Sequence, residues 1–124
     1  MPPETEPPMP DWVRAVCLDL PDVTTDQPFG PGSRVYRVGR KVFALVTQAP
    51  RVSPHTLLNL KAQPEEIPLL LAAHPFLLPG WHMNKKHWLS VALSPTADQV
   101  LVTELVEDSY DAVLGHPPRR TGPG

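Results

Sequence analysis

Arg34-Val35-Tyr36-Arg37-Val38 and Lys41-Val42-Phe43-Ala44-Leu45-Val46-Thr47 are two β-prone runs that stand on either side of Gly39-Arg40. Branched and aromatic side chains suit a pleated surface, and a two-residue link with glycine first suits a type II′ turn. The stretch therefore predicts an antiparallel hairpin. Working outward from it, Trp12, Val13, Val16, Cys17 and Leu20 recur at the spacing of one helical face, giving a helix over about 10–20 that Pro21 ends. Residues 22–33, with two prolines and two glycines, read as a loop whose one apolar anchor is Phe29.

C-terminal to the hairpin, Thr56–Lys61 alternates, with Leu58 and Leu60 on one face and Asn59 and Lys61 on the other. Pro64 at a first helical position opens a short helix through Ala73. His87–Leu93 alternates again, and Trp81–Met83 is its expected partner across a turn at Asn84, Lys85 and Lys86. Thr96 with Gln99 three residues on fits a capping box, and Leu101, Val102, Leu105, Val106, Ser109 and Val113 keep to one side of a long helix ended by Gly115. The order α, ββ, β, α, ββ, α predicts an α+β fold, an antiparallel sheet with helices packed on one face.

A chain of 124 residues with 41% hydrophobic and 19% charged side chains is one ordinary globular domain, expected over 10–116. Its 18 prolines crowd the ends, so 1–9 and 117–124 read as flexible tails. The longest apolar run, Ile67–Ala73, falls far short of the ~20 residues that span a bilayer. A lone Cys17 excludes an internal disulfide and reads as a packed thiol; with no secretory pattern at the N-terminus, the expected location is cytoplasmic.

Net charge is -2, yet residues 34–86 hold eight basic side chains against two acids, a net +6, and the remainder holds three against eleven, a net -8. Such segregation steers charged partners even when the total is near zero. The cations concentrate at two expected hairpin tips: Arg37, Arg40 and Lys41 in one, Asn84, Lys85, Lys86, His87 and Trp88 in the other. Phosphate binding needs positioned, exposed cations, which hairpin tips supply. The competing explanation is that lysine and arginine at sheet edges serve solubility.

Other chemistries lack a complete set of groups. His82 and His87 flank a turn, but two ligands do not make a zinc site, so no metal or other cofactor is expected. Ser53 near His55 is the one tempting nucleophile–base pair, without the elbow or oxyanion loop that would make it specific, and no enzymatic activity is expected. Glu104, Glu107, Asp108 and Asp111 share one face of the last helix, a solvated acidic surface by this reading.

Four stretches resemble the MmcQ/YjbR-like (DUF419) family: Leu20-Pro21-Asp22-Val23-Thr24 through Phe29-Gly30; Val35 through Ala44; Pro79-Gly80-Trp81-His82-Met83-Asn84-Lys85-Lys86-His87-Trp88; and Asp108-Ser109-Tyr110. The resemblance implies a CyaY-like α+β fold with a curved antiparallel sheet, a bacterial source, and a "double wing" DNA-binding role whose wings correspond to the two basic hairpins. Iron binding, known in frataxin-like relatives of that fold, is not carried over, because helix one offers only Asp11 and Asp19. Two functions follow as expectations. The first is a non-enzymatic DNA-binding protein using Arg37, Arg40, Lys41 and 84–88. The second is a module for a protein partner or small anionic ligand, with an aromatic pocket of Trp81, Trp88, Phe29 and Tyr36 rimmed by the same cations.

Overall fold

A computed structural model describes residues 6–116, so the expected C-terminal tail lies outside the described residues. Nine elements follow in order: α1 Asp11–Leu18, β1 Val23–Asp26, β2 Ser33–Val38, β3 Lys41–Thr47, β4 Leu57–Lys61, α2 Ile67–Ala73, β5 Leu77–Pro79, β6 Trp88–Ala92 and α3 Gln99–Val113. The strands form one sheet in the order β1-β2-β3-β4-β6-β5, antiparallel throughout. The α+β class expected from the element pattern is what the chain adopts. None of the described helices is long and apolar enough to cross a membrane.

One face of the sheet carries the main core. Tyr36, Ala44, Val46, Leu58, Leu60, Leu89 and Val91 meet Val13 and Cys17 of α1 and Val102, Leu105, Val106 and Tyr110 of α3. Burial pushes the Cys17 thiol up to about 12, which leaves it an inert packed group. The hairpin is as expected: Val38 pairs with Lys41, and Gly39 has φ 63 while Arg40 keeps an ordinary φ, the sign pattern of a type II′ turn.

A bulge follows the turn. Arg37 pairs with Val42 but Tyr36 with Ala44, so Phe43 is an extra residue in β3. Ser109 of α3 serves this irregularity. Its hydroxyl donates to the Phe43 carbonyl at 2.6 Å and accepts the Lys61 N–H at 2.8 Å, just past the last β3–β4 pair, Ala44 with Leu60. Its neighbour Tyr110 sets its ring edge-on to Phe43 and donates its hydroxyl to the Pro21 carbonyl at 2.7 Å. The Asp108-Ser109-Tyr110 stretch thus ties α3 to β3, β4 and the end of the α1 region.

Several expectations need correction. Residues 22–33 are not all loop: Val23–Asp26 pairs with β2, because Val-Thr-Thr is β-branched and β2 offers it a free edge. Phe29 is no anchor, being 70% exposed in the β1–β2 connection, where Gly30 and Gly32 adopt positive φ. The partner of β6 is Leu77–Pro79, not Trp81–Met83. The α3 N-cap is Asp98, whose carboxylate accepts from the Val100 and Leu101 N–H groups, not Thr96, whose own N–H is held by Ser94. Gly115, φ 81, does end α3 as read: its N–H bonds the Ala112 carbonyl and that of His116 bonds Asp111, a Schellman pair. Residues 6–9, read as tail, are held: Glu6 binds Arg34, Pro7 is buried and Met9 packs on the core.

Candidate nucleic-acid interface

Antiparallel order decides which loops meet. β2 and β3 are joined at Gly39-Arg40, β4 ends at Lys61 opposite Trp88, and β5 ends at Pro79 opposite Leu89. The hairpin turn, the end of β4 and the two ends of the 80–87 connection therefore lie at one end of the sheet. The middle of β2–β3 and the middle of β6–β5 are three strand spacings apart, about 14 Å at ~4.8 Å per spacing.

Of the eight basic side chains in 34–86, Arg40, Lys41, Lys85 and Lys86 are exposed at this end and Lys61 is half-buried beside them. None of the five makes an ion pair among the described residues. Lys85 Nζ donates to the Gly80 carbonyl at 3.0 Å, leaving its charge unneutralised. Two others are spent elsewhere. Arg34 is bound by both oxygens of Glu6 and donates to Thr25, an arrangement that holds the Glu6 carboxyl below its ordinary range and raises the guanidinium. Arg37 is half-buried one register inside the turn, with Nε 3.3 Å from Asp26 Oδ1. The eighth, Arg51, belongs to the β3–β4 connection at the opposite end.

Asn84, His87 and Trp88 have backbone roles in this site. The Asn84 side chain accepts the Lys86 N–H at 2.9 Å, and its carbonyl accepts the N–H groups of His87 and Trp88. Those bonds form the turn that aims Lys85 and Lys86. Trp88 is half-buried at the start of β6. Lys61 is the cation at this end that sequence patterning did not assign to the site; the antiparallel order of the strands was the signal that would have found it.

The 80–87 segment is a strap across the second face of the sheet, not a tight hairpin tip. At Gly80 an added Cβ would lie 2.8 Å from the Trp88 carbonyl oxygen, so only glycine lets the chain leave β5 here. The Trp81 N–H then donates to Ser90 Oγ at 3.0 Å, and the indole covers Ala49, Leu57 and Ala92. Beneath it Ser90 bonds Asn59, which donates to the Leu45 carbonyl at 3.1 Å. Asn59, on the face opposite Leu58 and Leu60 as expected, is therefore fully buried. The left-handed residue in the strap is His82, φ 54. Its ring stacks on Trp81 with centroids 3.9 Å apart and planes 7° from parallel.

The aromatic pocket expected from Trp81, Trp88, Phe29 and Tyr36 does not assemble. Tyr36 is fully buried on the helix side, its hydroxyl pushed up to about 12 by desolvation, while Phe29 projects from the far end of β1. Ser53 Oγ accepts the backbone N–H of His55 at 3.0 Å, a local turn. Among the described residues no three His, Cys, Asp or Glu groups are placed to hold a metal. The acidic face of α3 is less solvated than read, since Asp111 is 4% exposed.

The YjbR family model matches residues 18–112. The uncharacterised protein YbdF of Escherichia coli O157:H7 is 36% identical over 104 residues, 84% of this chain and 83% of that one. The uncharacterised protein YyaQ of Bacillus subtilis is 41% identical over 54 residues, 44% of this chain and 45% of that one. Among solved structures, the Deinococcus radiodurans protein DR2400, a DUF419 domain, has TM-score 0.71 and 31% identity over 92% of this chain and 93% of its own. A Pseudomonas syringae protein has TM-score 0.73 and 26% identity over 82% of this chain and 96% of its own.

Proposed function

The chain belongs to the YjbR family, and we propose that it is a non-enzymatic, cytoplasmic DNA-binding protein that grips the phosphate backbone with the basic end of its sheet. The supporting observation is the convergence there of Arg40, Lys41, Lys61, Lys85 and Lys86, none ion-paired among the described residues. The two basic loops are about 14 Å apart by strand spacing, a little more than the ~12 Å width of a B-form major groove. That separation suits one loop to each flanking backbone. Arg37, Asn84, His87 and Trp88 shape the loops in this reading, and the exposed cations carry the contacts.

Anisotropy of a labelled duplex, titrated at several salt concentrations, tests it. Each phosphate contact contributes about 0.9 to the slope of log affinity against log salt, so the Arg40→Ala, Lys85→Ala, Lys86→Ala triple variant is expected to lower that slope by about 2.7. Equal, weak binding by both proteins with a common slope removes the proposal.

A further inference from the structure

The strap holds a feature that phosphate binding leaves unused. Trp81 and His82, sequence neighbours, present two parallel rings in contact, and His82 adopts a positive φ, which is uncommon outside glycine although asparagine, aspartate and histidine take it more often than the rest. Backbone strain of this kind persists where surrounding structure enforces it. Here Gly80 and the Trp81–Ser90 bond fix the chain immediately before it. The enforced conformation lays an exposed imidazole on an indole whose floor is Ala49, Leu57 and Ala92.

Beside the two rings is a cavity of about 370 Å³ lined by Gln48, Ala49, Pro50, Arg51, Val52, Trp81 and His82. That volume is at the small end of ligand clefts, roughly 300–1,000 Å³, and fits one ring system. Its chemistry is mixed in a specific way. Val52 is 48% exposed and adds apolar wall, the exposed Gln48 amide offers both donor and acceptor, and Arg51 brings a cation that has no ion-pair partner among the described residues. A flat aromatic step, an amide and a guanidinium together match a planar heteroaromatic ring attached to a phosphate.

We infer that the Trp81–His82 pair is a stacking site for an unpaired nucleobase, with Arg51 meeting its phosphate. The inference deepens the proposed DNA-binding role and rests on it: the basic end holds backbone, and the other side of the same strap captures a base exposed in a single-stranded stretch. Aromatic stacking is tolerant of base identity because every base has a π-face, so little sequence preference is expected.

The test uses the full chain, a labelled oligodeoxyadenylate single strand, a duplex of equal length, and AMP as a free nucleotide. His82→Asn removes the ring while keeping a residue that accepts the left-handed conformation, and Trp81→Leu keeps apolar cover over Leu57. Each is expected to weaken single-strand binding by about 5- to 150-fold and leave duplex binding unchanged. AMP quenching of tryptophan fluorescence that vanishes in Trp81→Leu, at an affinity matching the strand's, would identify a free nucleotide as the source of the base. Single-strand affinity unmoved by both substitutions overturns the inference. The two proposals fail separately: loss through His82→Asn without loss through the Arg40, Lys85, Lys86 triple variant keeps stacking and removes the backbone grip, and the converse does the reverse.

Discussion

Ser109→Ala is the most informative single perturbation of the fold. The hydroxyl is fully buried and relays between the Phe43 carbonyl and the Lys61 N–H, where direct pairing of β3 with β4 has ended. Alanine removes both bonds and leaves one buried acceptor and one buried donor unmatched. A net hydrogen bond is worth about 0.5–1.5 kcal/mol, and an unsatisfied buried group costs about 1–3 kcal/mol, so a loss of about 2–4 kcal/mol is expected. Total stability for a domain of this size is roughly 6–15 kcal/mol, so the loss is a large share of it. Urea unfolding measures it: with a slope of about 2 kcal/mol per molar, the midpoint should fall by about 1–2 M with the slope unchanged. Thr103→Ala is the control, since its hydroxyl bonds the Gln99 carbonyl on the exposed side of the same helix. A Ser109→Ala midpoint no lower than that of the control refutes the relay.

Two further outcomes follow from contacts described above. Gly80→Ala should destabilise by about 1–3 kcal/mol, because the new methyl meets backbone of Trp88 that cannot swing away; near-ultraviolet circular dichroism should change with it, and an unaltered tryptophan spectrum at wild-type stability would refute the close approach. Glu6 is held below its ordinary value of 4.5, chiefly by the hydrogen bond from Arg34, so its stabilisation is complete above that pH and is lost as pH falls through the lowered value. Glu6→Gln should therefore be less stable at neutral pH and show a shallower acid limb in urea midpoints, and parallel curves for the two proteins count against the pairing.

Long elements with strong periodicity were readable from the chain. The hairpin around Gly39-Arg40, the apolar stripe of α3 and the Gly115 stop each rest on local chemistry that tertiary contacts reinforce. Short elements were not. Val23–Asp26 and Leu77–Pro79 have four and three residues, and each owes its strand conformation to an already formed neighbour, β2 or β6. No window of their own sequence contains that partner. The strap was misjudged for a related reason: Asn84 does hold a turn, but the close approach of Gly80 to Trp88 and the positive φ of His82 depend on contacts across the sheet that no local window contains. The cations of the candidate site were visible as composition, but their separation into paired and unpaired groups was not. Glu6 reaches Arg34 across 28 residues of sequence, and Asp26 reaches Arg37 only once β1 exists.

The margins of the sheet bear on how the protein behaves in a crowded solution. On one side it finishes with β1, four residues long with two outward-facing threonine and aspartate side chains, and on the other with β5, three residues long and closed by Pro79. A newcomer strand finds too few consecutive amides to register against, and proline withholds one of them. Strand-by-strand growth into fibrils is thereby discouraged at both borders.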